Sequence, residues 1–412
     1  MSKRTEGSAG GGKITRRGFV GGAAAGAIGM TIMKPSLVGG AEANTKIKAG
    51  VIGLGGRGAW IANFVKKHGG YEVTAVADYF DNVAQNVGER LGVDKAKRFS
   101  GLSGYKKVIA SGIDAIFLET PPCFFPEHAA AAVAAGLHVY VAKPVACDVP
   151  GCMTISQAAA KSKAAKKVFL VDFQTRTDPV YIKAIDSLLA GDIGNVGMLC
   201  SHYIDESFSD PPQTKTIESR LRRLIWTNDV AIGGGMHVNA DIHAVDVGLW
   251  MAGGQTPISA SGAGAVCKSN ANGDTNLVYS LTFQFKNGLF LNHRGEHLRN
   301  STRFAADCMA HCERGYLNTQ YAGDVKMLGR GVKYNGGKVV NLYPQGALRN
   351  IAKFHECITK GDCSNPTVKP SVDATLTTIL GRDAAAKRGT LTWDEMIKAN
   401  KKVPVDLTGL KE

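Results

Sequence analysis

The feature that most constrains this chain is a glycine turn with a strand before it and a helix after it. Lys46-Ile47-Lys48-Ala49-Gly50-Val51-Ile52 reads as a short strand with an apolar end. It runs into Gly53-Leu54-Gly55-Gly56-Arg57-Gly58, a G-x-G-x-x-G run. From Ala59 to Lys67 apolar side chains then recur at helical spacing. In such a unit the first glycine permits the tight turn and the second lets a pyrophosphate approach the backbone. The third lets the helix pack close on the strand, with its first amides facing the phosphates. A second strand, Glu72–Ala77, ends at Asp78, twenty residues beyond Gly58. A carboxylate there accepts hydrogen bonds from ribose hydroxyls and repels a 2′-phosphate, so NAD is favoured over NADP.

Strand and helix continue to alternate, as a doubly wound parallel sheet demands. Asp114–Leu118 reads as a buried strand ending in Glu119-Thr120-Pro121-Pro122, and the helix Glu127–Ala135 follows. Leu137–Val141 is the next strand, ending in Ala142-Lys143-Pro144. Ligands of such sheets sit at the carboxyl ends of the strands. The candidate cofactor neighbours are therefore Gly53, Leu54, Gly55, Gly56, Arg57, Gly58, Asp78, Thr120, Pro121, Ala142 and Lys143. His128, on the helix, reads as a packing or capping residue.

Ahead of this unit, Thr15-Arg16-Arg17-Gly18-Phe19-Val20 resembles the twin-arginine export motif. A Gly/Ala-rich apolar stretch follows to Met33, then Lys34-Pro35 and a small-residue site, Ala41-Glu42-Ala43. That is the order of a signal peptide, so residues 1–43 are expected to be a leader and the protein periplasmic or otherwise extracytoplasmic. The stretch is too short and Gly-rich for a convincing membrane span, so no stable span is expected after processing. Free nicotinamide cofactor is scarce outside the cytoplasm, which implies a tightly held cofactor, recycled in place or loaded before export.

The leader holds six basic and two acidic residues, a net of +4, which leaves +10 of the formal +14 for the rest. The remaining Lys and Arg are scattered without a long basic or aromatic-interleaved run, so no nucleic-acid partner is expected. Nine cysteines, an odd count without a CxxC pair, suggest no disulfide scaffold. Cys308-Met309-Ala310-His311-Cys312 lacks a second ligand pair at finger spacing, and ordinary packing is the expectation there.

Past Val168–Val171 the stretch Asp172–Asp178 leaves the parallel sheet, dividing the chain into residues 44–169 and 170–412. In the second part, Gly194–Tyr203 begins a sheet. Strands at Leu277–Phe285 and Leu289–Arg294 are joined at Lys286-Asn287-Gly288, where Asn-Gly is a strong hairpin signal. The segment Gly235-Met236-His237-Val238-Asn239-Ala240-Asp241-Ile242-His243-Ala244-Val245-Asp246 reads as a helix with Asn239 and His243 on one face. His237, Asp241 and His243 do not all share a face, so no metal site is expected.

Several of these pieces, taken in order, resemble the glucose–fructose oxidoreductase / inositol dehydrogenase (Gfo/Idh/MocA) family. They are the glycine fingerprint, Thr120-Pro121-Pro122, Ala135-Gly136-Leu137-His138-Val139-Tyr140-Val141-Ala142-Lys143-Pro144 and Gln174-Thr175-Arg176-Thr177-Asp178-Pro179. To these add Gly233-Gly234-Gly235 leading to His243-Ala244-Val245-Asp246 and Trp250, and the tail from Leu380 to Met396, which is similar to exported members. The resemblance implies a Rossmann domain followed by an α/β domain with a large, mostly antiparallel sheet. It also implies a homo-dimer or homo-tetramer, and a carbohydrate-like substrate: a sugar, cyclitol or derivative. Two positions depart from the family: relatives usually read Glu-Lys-Pro at Ala142-Lys143-Pro144 and often carry Asp at Asn239. On this reading Lys143 and His243 are the catalytic pair of an oxidoreductase acting on a CH–OH group. Gln174, Arg176, Asn239 and Asp241 are candidate substrate residues, with a structural ion pair equally open for Arg176. Two alternatives stand beside it: a redox-neutral glycosidase or epimerase working through a keto-sugar, and a non-catalytic, cofactor-bound sugar-binding protein.

Overall fold

The structure, a computed structural model, describes residues 46–267 and 271–412. The twin-arginine-like leader and its small-residue site lie outside the described residues.

Six parallel strands form the first sheet: β1 (Ile47–Ile52), β2 (Tyr71–Asp78), β3 (Arg98–Ser100), β4 (Ala115–Leu118), β5 (His138–Ala142) and β6 (Phe169–Asp172). Their order is β3-β2-β1-β4-β5-β6, the doubly wound arrangement, with its crossover between β1 and β4. All four residues of β4 are buried. That is why the central strands read as unbroken apolar runs and not as alternation: helices cover both faces. The helix Gly56–His68 follows β1 and packs along β2. His128 is buried in the helix Phe125–Ala134, its ring 4.2 Å from that of Tyr105.

The second sheet has nine strands: β7 (Val196–Ile204), β8 (Ser259–Ala265), β9 (Val278–Gln284), β10 (Phe290–Glu296), β11 (Ala305–Cys312), β12 (Gly315–Gln320), β13 (Asp324–Gly329), β14 (Val332–Lys338) and β15 (Thr390–Thr392). It runs β14-β13-β12-β11-β7-β10-β9-β8-β15 and is antiparallel except where β7 meets β10. The Asn287-Gly288 turn forms as the sequence suggests: Phe290 pairs with Gln284, and Gly288 takes φ +85°. The helices Ile242–Met251 and Val368–Lys387 pack against this sheet. On β11 the two-residue period turns His311 to the opposite side from Cys308 and Cys312, which undoes any shared coordination.

The chain does not stay on one side of residue 170. The helix Leu342–Lys360 returns to the first sheet and buries Ala347, Ile351, Phe354 and Cys357 among Val51, Phe117 and Tyr140. The Phe354 ring lies 5.5 Å from Phe117 and 5.6 Å from Tyr140. At the far end, Leu102 N donates to Lys411 O at 2.9 Å. The sequence division marks where the chain leaves the parallel sheet; the packing of that sheet needs residues from both halves. No helix among the described residues is long and apolar enough to cross a membrane.

Gly58 carries the closest approach in the first unit: a Cβ there would lie 1.7 Å from Gly53 O. Gly56, two residues earlier, has nothing within 4 Å of its Cβ position. Gly58→Ala is therefore expected to cost about 1–3 kcal/mol in urea unfolding. Gly56→Ala, on the same measurement, is expected to leave stability unchanged or slightly raised. Equal losses in the two variants would contradict this account of the turn.

Candidate active site

The glycine turn lies at the carboxyl ends of β1 and β4. Gly53 takes φ +84°, and a Cβ on it would meet Glu119 C and Thr120 N at 2.6 Å. Gly55 and Gly56 instead face open space. Gly55 caps the helix without a side-chain hydrogen bond, so the first amides of the helix are not taken by a cap and are available to an anion. Asp78 sits at the edge of this space. Its Oδ2 accepts from Leu54 N at 2.7 Å and its Oδ1 from Phe80 N at 2.9 Å. A carboxylate has about four acceptor positions, so capacity remains for ribose hydroxyls. These features fit a dinucleotide.

Arg57 crosses the crevice. Its Nε lies 3.0 Å from Glu119 Oε2, its Nη1 donates to Tyr343 Oη at 2.7 Å, and its Nη2 pairs with Asp172. Tyr343 stacks on Trp60 with ring centroids 4.8 Å apart. Asp172, at the end of β6, is fully buried and also accepts from Asn350 Nδ2 at 2.6 Å and from Gln174 Nε2. Burial pushes the Glu119 carboxyl up to about 7; the Arg57 charge opposes that rise and Asp172 adds to it. Glu119, Asp172 and Tyr343 are absent from the sequence-derived site. The strand-end rule that found Thr120 and Pro121 applies equally to Glu119 and Asp172, whereas Tyr343 lies 286 residues from Arg57 without a motif.

Lys143, at the end of β5, reaches across to the second sheet's helices. Its Nζ donates to Asn239 O at 2.6 Å. His243 is one turn further on, buried, with its ring 5.2 Å from Tyr321. Tyr321 is in electrostatic reach of Tyr203, Tyr343, Arg57 and Asp172, which places the histidine side toward the charged cluster at the glycine turn. Glu119 likewise acts electrostatically on Lys143. Position 142 is alanine, and the neighbouring strand end brings the Glu119 carboxyl toward the same lysine.

Three sequence expectations need correction. Asp241 does not reach the crevice: it is fully buried among His237, His293 and His297, against β10. Arg176 places Nε and Nη2 on the buried Asp246 at 2.8–3.0 Å and stacks over Trp250, so the structural ion pair prevails over substrate binding. Gln174 is buried under the helix Leu342–Lys360, with its amide on Asp172, and acts within the network. Asn239 stands at the crevice, but its backbone carbonyl, and not its amide, meets Lys143.

Residues 47–170 match the model of the Gfo/Idh/MocA oxidoreductase family, NAD-binding Rossmann fold. That stretch of the chain is similar to the NAD-binding domain of this family. The chain is 29% identical over 206 residues to inositol 2-dehydrogenase of Klebsiella pneumoniae (strain 342), covering 50% of this chain and 54% of that protein. It thus spans about half the length of the curated relatives it matches. Among solved structures, aldose-aldose oxidoreductase from Caulobacter crescentus superposes with a TM-score of 0.67 at 17% identity, over 84% of this chain and 100% of that one. Scyllo-inositol dehydrogenase from Lactobacillus casei, with bound NAD(H) and scyllo-inositol, gives 0.64 at 17%, over 85% and 99%. At these identities the structural likeness is one of fold, and it extends past the Gfo/Idh/MocA domain into the nine-stranded sheet.

The Glu119 shift has a signed consequence. Its folded value, about 7, lies above the ordinary 4.5, so the folded state holds the proton more tightly than the unfolded chain. Its stabilising contribution is full below about pH 4.5 and is lost as pH rises through about 7. The stability difference between wild type and Glu119→Gln should fall across that window by up to roughly 3 kcal/mol. Urea unfolding at several pH values checks this; a difference independent of pH would place the carboxyl in its ordinary range.

Proposed function

We propose that the protein is an NAD-dependent oxidoreductase acting on the CH–OH group of a sugar, cyclitol or derivative. The observation that carries this reading is the position of Lys143. It closes β5 beside the glycine turn and bonds the Asn239 carbonyl, one helical turn before His243. A substrate hydroxyl placed between Lys143 and His243 meets an ammonium donor and an imidazole together. NAD, when bound, supplies the hydride acceptor. A sugar hydroxyl is a weak acid, so its proton must be drawn off as hydride leaves. His243 is the base on this reading, and Lys143 orients the hydroxyl and stabilises the developing alkoxide. The inositol dehydrogenases among the relatives support the substrate class.

We further propose an exported protein with a tightly held cofactor, assembled as a homo-oligomer. The twin-arginine-like run supports the first point. Tyr343 and the helix Leu342–Lys360, folded over the dinucleotide domain, support retention. One observation favours a redox-neutral variant of the same chemistry. Glu119, beside Lys143 and with its carboxyl near neutrality, is suited to give or take a proton at a carbon next to a transient ketone. Net glycoside cleavage or epimerisation without net NADH would select that variant.

The test is a half-reaction. Protein loaded with NAD is mixed with a panel of inositols and aldoses, and NADH formation is followed by fluorescence. Lys143→Met is expected to slow reduction by about 100-fold or more while NAD affinity changes little. Undiminished reduction in the variant would refute the assignment of Lys143.

A further inference from the structure

Behind the candidate active site lies a second cluster that the proposed reaction does not use. His237 and Asp241 stand four residues apart on a π-helical turn, His237–Asp241, a feature often retained at functional sites. His293 enters from β10 and His297 from the residue after that strand's end. All four side chains are fully buried. His237 Nδ1 lies 2.6 Å from Asp241 Oδ2, His293 Nε2 3.1 Å from the same oxygen, and His297 Nε2 2.8 Å from Oδ1.

Within the cluster, hydrogen bonding joins only His237 Nδ1 and Asp241 Oδ2. His293 Nε2 and His297 Nε2 face the carboxylate at short range without hydrogen-bond geometry, and Asp241 Oδ1 is likewise unsatisfied. No Lys or Arg among the described residues pairs with Asp241; its ion-pair partners are all imidazoles.

We propose that His237 Nδ1, His293 Nε2 and Asp241 Oδ2 bind one divalent first-row cation of the zinc class, with His297 orienting the carboxylate through Oδ1. The three ligating atoms lie within 4.8 Å of one another. Imidazole with carboxylate is the donor set suited to zinc or its neighbours. The outer contacts are of the kind that fix metal ligands: Ser201 Oγ lies 2.9 Å from His293 Nδ1, and His297 Nε2 lies 2.8 Å from the far carboxylate oxygen. On the strand side the carboxylate packs directly on the backbone of Gly295, where a Cβ would come within 2.2 Å of Asp241 Oδ2. The cation would clamp the turn that leads into His243 onto β10, a positioning role separate from hydride transfer.

The full chain is expressed with Zn²⁺ supplied, dialysed against metal-free buffer, and analysed by native mass spectrometry and elemental analysis. The expected result is one Zn²⁺ per chain. Asp241→Asn and His293→Ala should each reduce occupancy at least tenfold, and His297→Gln should weaken Zn²⁺ affinity about 10- to 100-fold. Co²⁺ supplied instead should give the visible spectrum of nitrogen and oxygen ligation at the same stoichiometry. Wild-type protein that stays metal-free in excess Zn²⁺ would overturn the proposal whatever the variants do. Full occupancy in folded Asp241→Asn or His293→Ala would also overturn it, by placing the ion elsewhere. Should those variants fail to fold, the wild-type loading and His297→Gln decide the matter. None of these readouts depends on NAD or on turnover.

Discussion

The contact between Arg57 and the two buried carboxylates at the ends of β4 and β6 holds the rest of this structure in place. Glu119 and Asp172 lie fully buried, an arrangement costly to either without a cation. Arg57 reaches both from the position immediately after the Gly55-Gly56 pair, in the first turn of the helix Gly56–His68. The same guanidinium bonds Tyr343, and the same Asp172 takes Asn350 from the returning helix. One ion cluster thus joins the glycine turn, two strand ends and a helix from the far half of the chain. The dinucleotide crevice is thereby built from sequence-distant parts, and its walls carry paired charges.

The parallel sheet was readable because its signals are local. Strand, glycine turn and helix follow within about twenty residues, and each apolar run is bounded by its own turn chemistry. The Asn287-Gly288 hairpin was readable for the same reason. Residues acting through long-range contacts were not. Nothing in the spacing of Tyr343, Asn350 or Tyr321 ties them to Arg57, because packing of separate elements decides those pairings. The placement of the helix Leu342–Lys360 on the first sheet has the same cause.

The segment 235–246 shows where local periodicity stops being informative. It places His243 and Asn239 on one face, which the crevice respects. Asp241, a candidate substrate residue from sequence, instead packs on β10. The carboxylate near Lys143 is Glu119, from the adjacent strand. His293 and His297 could not have been joined to His237 and Asp241 from sequence, since more than fifty residues and a sheet register separate them.

The central claim is that the dinucleotide's phosphates rest on the first amides of the helix Gly56–His68, with the helix Leu342–Lys360 closing over them. Amide hydrogen exchange with and without NAD measures this directly. Saturating NAD should slow exchange in residues 53–59 and at the start of the helix Leu342–Lys360, with little change in β12 to β14. Unaltered exchange at the glycine turn under saturating NAD would contradict the claim.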